Sequence, residues 1–313
     1  MKVVFMGTPE FAAICLERIL ESEHEVVGVI TVPDKPAGRG QKLSQSAVAK
    51  LAIEKNLNLL QPEKLKNIDF VKELKTLNAD AFVVVAFRML PKEVWQIPAK
   101  GTFNLHASLL PDYRGAAPIN WAIINGETES GVTTFMIDEK IDTGNILLSN
   151  KVEILNDDTA GDLHDKLVEV GKELIIETLN GLEKGIIIPK SQPEVAEEKA
   201  APKIFREDCK IDWNESLENI HNKIRGLSPY PAAWSLLKVN NEEKQIKIYK
   251  GHFEFAEIDS GKINQIEFEK VIIKINHTQG HYFIEELQPE GKRRMNAQDF
   301  INGLNDKSGF QIV

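Results

Sequence analysis

The sequence predicts an α/β fold in which a mostly parallel sheet is followed by a small β-barrel. Before residue 189, short runs of aliphatic and β-branched residues alternate with segments of helical periodicity. That alternation is typical of βαβ units, which place helices on both faces of a sheet. After residue 206, several short runs of alternating polarity follow one another with turns between them. Such runs are typical of a small antiparallel barrel, for which an OB-type barrel is one candidate.

The first domain is built from strands and helices in alternation. Val3–Met6 is an apolar run that ends in Gly7-Thr8-Pro9, and proline suits the first turn of the helix predicted over Pro9–Leu20. Further strands are predicted at Val26–Val32, Ala81–Ala86, Thr102–His106 and Val132–Ile137, and a further helix at Pro118–Ile124. Continuous apolar runs are typical of strands that are covered on both faces. The order of these elements predicts a Rossmann-like, mostly parallel sheet.

A long amphipathic helix is predicted to close the first domain. Thr159–Asp162 resembles a capping box and precedes apolar residues at helical spacing from Leu163 to Leu182. Pro, Ala, Glu and Lys then dominate up to Arg206, which is the composition of a linker. We therefore expect a domain over residues 1–189, a linker over 190–206 and a second domain over 207–313.

The second domain is predicted from short strands. These are placed at Trp234–Val239, Gln245–Lys250, Val271–Asn276 and His281–Leu287, with a helix at Ala297–Leu304. The tryptophans, Trp234 among them, are expected to pack in cores or interfaces rather than to stack on bases.

Composition limits the kinds of partner and compartment. The chain has 313 residues, a net charge of −9 and a sequence pI of about 5.4. A protein that grips nucleic acid over its whole surface is basic, so any RNA contact is expected only at local patches. Cys15 and Cys209 are too few for a disulfide framework, which fits a reducing cytoplasm. The chain starts with a predicted strand and contains no apolar run of membrane-spanning length, so we expect a cytoplasmic protein without a membrane partner.

Three polar residues of the first domain could support an acyl transfer. Asn104 and His106 lie two apart on a predicted strand, so their side chains leave the same face near its carboxyl end, where ligands bind in open α/β sheets. Asp142 lies in the loop after another predicted strand. An amide and a protonated imidazole can stabilise an oxyanion, and a carboxylate can hold the imidazole charged or relay a proton from an attacking amine. Each residue alone also fits a structural role, as a turn cap, a satisfied core histidine or a loop cap.

The neighbours of these residues carry a family resemblance. They form motifs along the first domain, which are Asn104-x-His106, Ser108-Leu-Leu-Pro111, Arg114-Gly-Ala-Ala-Pro118 and Asp142-Thr-Gly144. Together the motifs resemble the signature of folate-dependent formyltransferases, which act on glycinamide ribonucleotide, methionyl-tRNA or nucleotide-linked sugars and have formyltetrahydrofolate hydrolases as relatives. The resemblance implies a catalytic trio of Asn104, His106 and Asp142, with 10-formyltetrahydrofolate as the formyl donor and no metal.

The resemblance also implies a folate site. Its lining is expected from Ser108, Leu109, Leu110 and Pro111. The segment Ala86–Pro91 is similar to the family's loop whose backbone holds the pterin, and it contributes Phe87, Arg88, Met89 and Leu90 to the expected site. Phe87-Arg88 stands where a Tyr-Gly pair is commoner in the family. Contacts made through the backbone should tolerate that change.

Further segments are similar to the branch of the family that formylates methionyl initiator tRNA. They are the loop Val32–Leu43, the segments Ile211–Asn214 and Ile224–Trp234, and the stretch Leu287–Asp299. The loop carries Lys35, Arg39 and Lys42, which suit phosphates and splayed bases, although a plain surface loop has the same composition. The barrel carries one concentrated basic cluster, Lys292-Arg293-Arg294, which fits either a phosphate-contacting stripe or a solvated turn. We expect a monomer whose partner is initiator methionyl-tRNA.

Other functions stay open as alternatives. A formyltetrahydrofolate hydrolase or a nucleotide-sugar formyltransferase would use the same trio, but a small acceptor needs no second, RNA-facing domain. A tRNA-binding module with a degenerate catalytic site would not need the intact trio. The sequence has no G-x-G-x-x-G after Gly7 and no G-x-S-x-G, and His277 and His281 lack a third ligand. These observations disfavour a dinucleotide site, a serine hydrolase and a metal site.

Overall fold

The structure, a computed structural model, describes residues 1–37, 42–194, 199–239, 242–269 and 271–313. Within these ranges the chain divides into two units. The first contains Met1–Gly115, Glu129–Glu153 and Asp165–Ala201, and the second contains Ala116–Thr128, Ile154–His164 and Pro202–Val313. The domain boundaries placed at 189 and 206 from the sequence stay predictions. In the described ranges, no helix has both the length and the apolar character needed to cross a membrane.

A sheet that contains seven strands among the described residues organises the first unit. From the N-terminus the chain forms β1 (Lys2–Gly7), α1 (Glu10–Leu20), β2 (Glu25–Ile30), β3 (Lys35–Ala37), β4 (Lys42–Ser44), α2 (Ala47–Glu54), β5 (Leu59–Leu60), α3 (Ile68–Thr76), β6 (Ala81–Val85), α4 (Lys92–Trp95), β7 (Thr102–His106), β8 (Arg114–Gly115), α5 (Pro118–Ile124), β9 (Glu129–Met136), β10 (Ile146–Glu153), α6 (Ala160–Lys184) and β11 (Ala200–Ala201). The strand order is β10-β9-β7-β6-β1-β2-β5. Strand β9 pairs antiparallel with both neighbours and the other pairs are parallel. The predicted mostly parallel sheet is therefore confirmed.

Burial explains why the apolar runs form strands. The side chains of Val4 in β1 and Phe82 in β6 are fully buried, and they share a core with Phe70 and Leu74 of α3. Full burial of a side chain such as Phe82 contributes about 1.5–3 kcal/mol to stability. The central strands are covered on both faces, as their unbroken apolar runs predict.

Side-chain caps determine where several helices begin. Ser46 Oγ accepts a hydrogen bond from Ala49 N at 3.0 Å before α2. The capping box predicted before α6 is confirmed, because Thr159 N donates to Asp162 Oδ2 at 2.9 Å and Asp162 N donates to Thr159 Oγ1 at 3.2 Å. Such caps satisfy the N–H groups that have no partner inside a helix.

Asp142 lies in the turn after β9, and the antiparallel direction of β9 determines the path of that turn relative to the carboxyl end of β7. His106 pairs with Thr133 and Phe103 pairs with Met136, so β9 ends level with the start of β7. The turn over residues 137–145 returns along the sheet before Ile146 pairs with Phe135. The sequence placed Asp142 after a strand, which is correct, but the antiparallel run of that strand and the returning turn were not predicted.

The second unit contains an antiparallel barrel. After β11 the chain forms a 3₁₀ turn (Glu207–Cys209), α7 (Leu217–Gly226), β12 (Ala233–Val239), β13 (Glu242–Phe255), a second 3₁₀ turn (Ser260–Lys262), β14 (Ile266–Glu269), β15 (Ile272–His277), β16 (Gly280–Pro289), β17 (Met295–Asn296), α8 (Ala297–Asn302) and β18 (Gln311–Ile312). The strand order is β14-β15-β16-β13-β12-β18. The two ends of this order meet, because Ile266 N donates to Phe310 O at 3.0 Å and Ile312 N donates to Asn264 O at 2.9 Å. The sheet is thus nearly closed, and the predicted small barrel is confirmed.

Aromatic packing fills this barrel. Tyr282 is fully buried, and Trp213 meets its ring edge-on with centroids 5.9 Å apart. Trp213 Nε1 donates to Ser235 Oγ at 2.9 Å, so the buried indole N–H is satisfied. Helix α5, which the sequence placed within the first domain, belongs to this second unit, where Asn120 Nδ2 donates to Gly226 O of α7 at 2.8 Å.

Candidate active site

His106 and Asp142, two members of the predicted trio, approach each other at the end of β7. His106 Nδ1 lies 3.8 Å from Asp142 Oδ2, and these side chains are 7% and 16% exposed. His106 Nε2 lies 2.8 Å from the carbonyl oxygen of Tyr113, which can only accept, so Nε2 carries the proton in this contact. A protonated ring therefore has an acceptor facing each nitrogen. Asn104 lies two residues before His106 on the same side of the strand, and its half-buried amide has no hydrogen-bond partner among the described residues.

A backbone N–H group holds the carboxylate of Asp142. Gly115 N donates to Asp142 Oδ2 at 3.0 Å, and Asp142 itself has a φ of 54°, in the left-handed region. On the other side of the turn, Thr143 Oγ1 donates to Asp138 Oδ1 at 3.0 Å. The carboxylate is thus directed toward the imidazole by the fold and not only by its own attraction to it.

The segment Ser108–Pro111, which the sequence assigned to the folate site, is a tightly bonded loop. Ser108 is fully buried and its hydroxyl donates to Asp112 O at 2.6 Å. Thr133 Oγ1 donates to Ser108 O at 2.7 Å and accepts from Leu110 N at 3.2 Å. Leu110 is buried, whereas Leu109 and Pro111 are half-buried. The Ser108 hydroxyl therefore shapes the loop, and Leu109 and Pro111 are the members that remain accessible to a ligand.

The residues of the expected pterin loop differ in their surroundings. Phe87 and Arg88 are half-buried, Met89 is 68% exposed and Leu90 is buried in the core. The guanidinium of Arg88 donates to Glu63 O at 2.9 Å and to Pro62 O, and it lies over the Phe87 ring at 5.4 Å. Burial lowers the pKa of the Arg88 guanidinium. This side chain thus turns toward main-chain carbonyls, and a folate contact by residues 87–90 stays a prediction.

Two candidate tRNA residues of the first unit, Lys35 and Lys42, lie on a pair of short strands. β3 and β4 pair antiparallel, with Lys35 opposite Ser44 and Ala37 opposite Lys42. The side chain of Lys35 is exposed. Arg39 lies outside the described residues, and of Lys42 only the backbone is described.

The basic cluster of the barrel is partly engaged. Lys292, Arg293 and Arg294 are all exposed. Arg294 forms an ion pair with Glu286 and lies 4.3 Å from the centroid of the Tyr249 ring. To contact a phosphate of RNA, Arg294 would therefore have to give up its contacts with Glu286 and Tyr249.

A groove of about 570 Å³ on the second unit was not predicted. Trp234 packs against the barrel core, as predicted, and also lines this groove. Arg206 and Lys210 each lie 5.9 Å from the Trp234 ring, and Tyr230 at the groove is 82% exposed. Cations next to accessible aromatic rings form a surface that can accept bases and phosphates.

Sequence reasoning also missed Gln192, which contacts the Asp142 turn from the expected linker. Its carboxamide donates to Asp142 O at 2.8 Å and to Gly144 O at 2.9 Å. A single glutamine in a polar segment gives no periodic signal, so nothing in the pattern pointed to it. His277, by contrast, behaves as the turn residue that its context suggested, because its Nδ1 accepts from Gln279 N at 3.1 Å.

Family models match both parts of the chain. The model described as formyl transferase matches residues 1–179. The model described as formyl transferase, C-terminal domain, matches residues 203–305.

Curated relatives are similar over nearly the whole length. A methionyl-tRNA formyltransferase of Flavobacterium johnsoniae is 52% identical over 304 residues, which covers 97% of this chain and 96% of the relative. A methionyl-tRNA formyltransferase of Bacteroides thetaiotaomicron is 45% identical over 318 residues, covering 100% of this chain and 98% of the relative.

Solved structures share the fold. An N-formyltransferase from Helicobacter canadensis, in complex with folinic acid and dTDP-3-aminofucose, superposes with a TM-score of 0.66 at 24% identity and covers 94% of this chain and 100% of that chain. HypX from Aquifex aeolicus, in complex with tetrahydrofolic acid, gives a TM-score of 0.65 at 19% identity over 99% of this chain and 50% of that chain.

Proposed function

The chain is a member of the methionyl-tRNA formyltransferase family, and from this premise we propose that it moves the formyl group of 10-formyltetrahydrofolate onto the amino group of methionyl initiator tRNA. The product, N-formylmethionyl-tRNA, serves translation initiation. The observation that carries the proposal is the approach of His106 Nδ1 to Asp142 Oδ2 at 3.8 Å, with Asn104 two residues before His106 on the same face of β7. We place the reaction in the cytoplasm and assign it to a monomer.

The reaction requires that the negative charge on the formyl oxygen is stabilised and that one proton passes from the attacking amine to the leaving N10. The amino nitrogen of methionine bonds to the formyl carbon, and the bond from that carbon to N10 of the folate then breaks. Negative charge develops on the formyl oxygen, and we assign the Asn104 amide to donate a hydrogen bond to it. Removing one such donor typically lowers kcat by about 10²–10³.

Proton transfer is assigned to the pair of Asp142 and His106. The attacking amine loses a proton, and N10 gains one as it leaves. We assign the Asp142 carboxylate to accept the proton, directly or through water, and to return it toward N10. We assign His106 to contribute positive charge when its ring is protonated, and its Nε2–H donates to the Tyr113 carbonyl at 2.8 Å.

An RNA acceptor is supported by the second unit and by local basic side chains. Lys35 on the first unit and Lys292 and Arg293 on the second are exposed, and Arg206 lies beside Trp234 at the groove. With a net charge of −9, the chain offers phosphates only such patches. We assign Lys35, Arg39, Lys42, Lys292, Arg293 and Arg294 to tRNA contact.

The test is a formylation assay with the purified chain and 10-formyltetrahydrofolate. Methionyl initiator tRNA should be formylated, and methionyl elongator tRNA should be left largely unchanged. Folate consumption at an equal rate without RNA would replace the proposal with a hydrolase. Transfer to an amino sugar linked to a nucleotide, in the absence of transfer to tRNA, would replace it with a sugar formyltransferase.

A further inference from the structure

The carboxamide of Gln192 holds the turn that carries Asp142. Its Nε2 donates to Asp142 O at 2.8 Å and to Gly144 O at 2.9 Å. Its Oε1 accepts from Arg114 Nη2 at 2.6 Å and from Arg114 Nε at 3.2 Å. Every hydrogen-bonding group of this side chain therefore has a partner, and both N–H groups donate to main-chain carbonyls of the same turn.

The turn needs this support because its backbone is constrained. Asp142 has a φ of 54°, which a non-glycine residue adopts at a cost. Arg114 Nε also donates to Asp142 O, at 3.1 Å, so this carbonyl receives hydrogen bonds from two side chains. Loss of the carboxamide would leave Gly144 O without this donor and would remove the acceptor that Gln192 Oε1 provides to Arg114.

Gln192 is itself anchored to the strand that follows the turn. Ile146 N donates to Lys190 O at 2.7 Å, and Lys190 N donates to Ile146 O at 2.8 Å. Gln192 follows two residues later, while β10 begins at Ile146. Lys190 is thus paired with the first residue of β10, and this pairing fixes the backbone from which the Gln192 carboxamide reaches the turn.

We propose that Gln192 is a positioning residue for the formyl transfer, which acts by holding Asp142 against His106. The inference rests on the proposed function. Gln192 contacts the main chain of residues 142 and 144 and does not contact the carboxylate, so its effect passes through the placement of Asp142. A displacement of about 1 Å at a reacting group can lower turnover by about 100-fold.

The first test compares variants at position 192. Gln192→Ala should lower kcat for methionyl-tRNA by about 10–100-fold and leave the Kd of tetrahydrofolate within about twofold. Gln192→Glu keeps an acceptor for Arg114 but has no N–H for the two carbonyls, so its kcat should fall at least as far. Gln265→Ala is the matched control, because Gln265 Nε2 also donates to a main-chain carbonyl, Gly261 O at 2.8 Å, in the second unit. Its kcat should be unchanged.

A second test separates positioning from a general structural role. In the Asp142→Asn background, single-turnover rates should change by less than about twofold when Gln192→Ala is added, because residues that act as a unit are not additive. A full additive loss would mean that Gln192 acts elsewhere and would overturn the proposal. If Gln192→Ala or Gln192→Glu alone kept the wild-type kcat, the proposal would be overturned, and the double variant would not be needed. If the unmodified chain fails to formylate methionyl-tRNA, the proposed function fails instead, and the two failures are thereby distinguished.

Discussion

Gly144 offers a direct test of how closely the Asp142 turn is fitted to the sheet. A Cβ added there would overlap the carbonyl oxygen of Met136 and lie 2.9 Å from its carbon, whereas ordinary van der Waals contact begins at 3.4 Å. Met136 ends β9, and its carbonyl belongs to a buried sheet that yields little. The turn must therefore move, by a distance on the order of 1 Å, and the displacement passes to Asp142 two residues away.

The expected size of the effect follows from that displacement. Gly144→Ala should lower kcat for methionyl-tRNA formylation by about 100-fold. The overpacked turn should also lower the free energy of unfolding by about 1–3 kcal/mol. Tetrahydrofolate affinity should change little if the folate is held by residues 87–90 and 108–111. Single-turnover formylation, equilibrium denaturation and folate titration measure the three quantities.

Gly261→Ala is the matched control for this substitution. A Cβ at Gly261 meets only Asp259 Oδ1, at 3.6 Å, which is an ordinary contact. This variant should keep wild-type kcat and stability. If Gly144→Ala were as active and as stable as Gly261→Ala, the turn would not be fitted as closely as described, and placement of Asp142 by the fold would be refuted.

Further predictions concern the proton transfer, the barrel and the RNA contact. Asp142→Asn should lower kcat by about 10²–10⁴ and spare tetrahydrofolate affinity, and an unchanged kcat would remove the carboxylate from the mechanism. Burial lowers the pKa of His221 from 6.5 to about 4, so the folded protein excludes a proton that the unfolded chain takes up. The free energy of unfolding should thus fall by about 2–3 kcal/mol as pH drops from 6.5 to 4, and urea denaturation of His221→Gln should show a weaker pH dependence. Replacing Lys292 and Arg293 by Ala should reduce the slope of log Kd for tRNA against log salt concentration by about 1–2. Lys307 is another exposed lysine, and Lys307→Ala should change tRNA binding less. Equal slopes in both variants would place the RNA contact elsewhere.

The parts that sequence could predict are those with a periodic or local signal. Thr102–His106 has the same bounds as the strand expected for β7, because its polar and apolar residues alternate directly after Gly101, a pattern typical of a strand. The capping box at Thr159–Asp162 is likewise local. These signals place Asn104 and His106 on one face of a strand without knowledge of the rest of the fold.

The remainder depends on pairings between distant segments. Gln192 lies in a stretch with the composition of a linker, yet hydrogen bonds to residues 114, 142 and 144 hold its side chain. These bonds join the Gln192 carboxamide to the Arg114 guanidinium and to two main-chain carbonyls, so they require no apolar periodicity. The folded-back path of residues 137–145 depends on the direction of β9, which alternation cannot indicate because parallel and antiparallel strands alternate alike.

The two sides of the candidate site are held in different ways, and this explains where the supporting residues lie. Asn104 and His106 stand on a strand that is paired on both sides, so the sheet itself fixes their backbone. Asp142 stands on a turn with no such ladder, in a left-handed conformation. Its position must come from separate hydrogen bonds, which include Gly115 N on the carboxylate and the Gln192 carboxamide and Arg114 Nε on the main-chain carbonyl. Substitutions away from the reacting atoms should therefore reduce turnover mainly where they loosen the Asp142 turn, because the strand side has many compensating hydrogen bonds and the turn side has few.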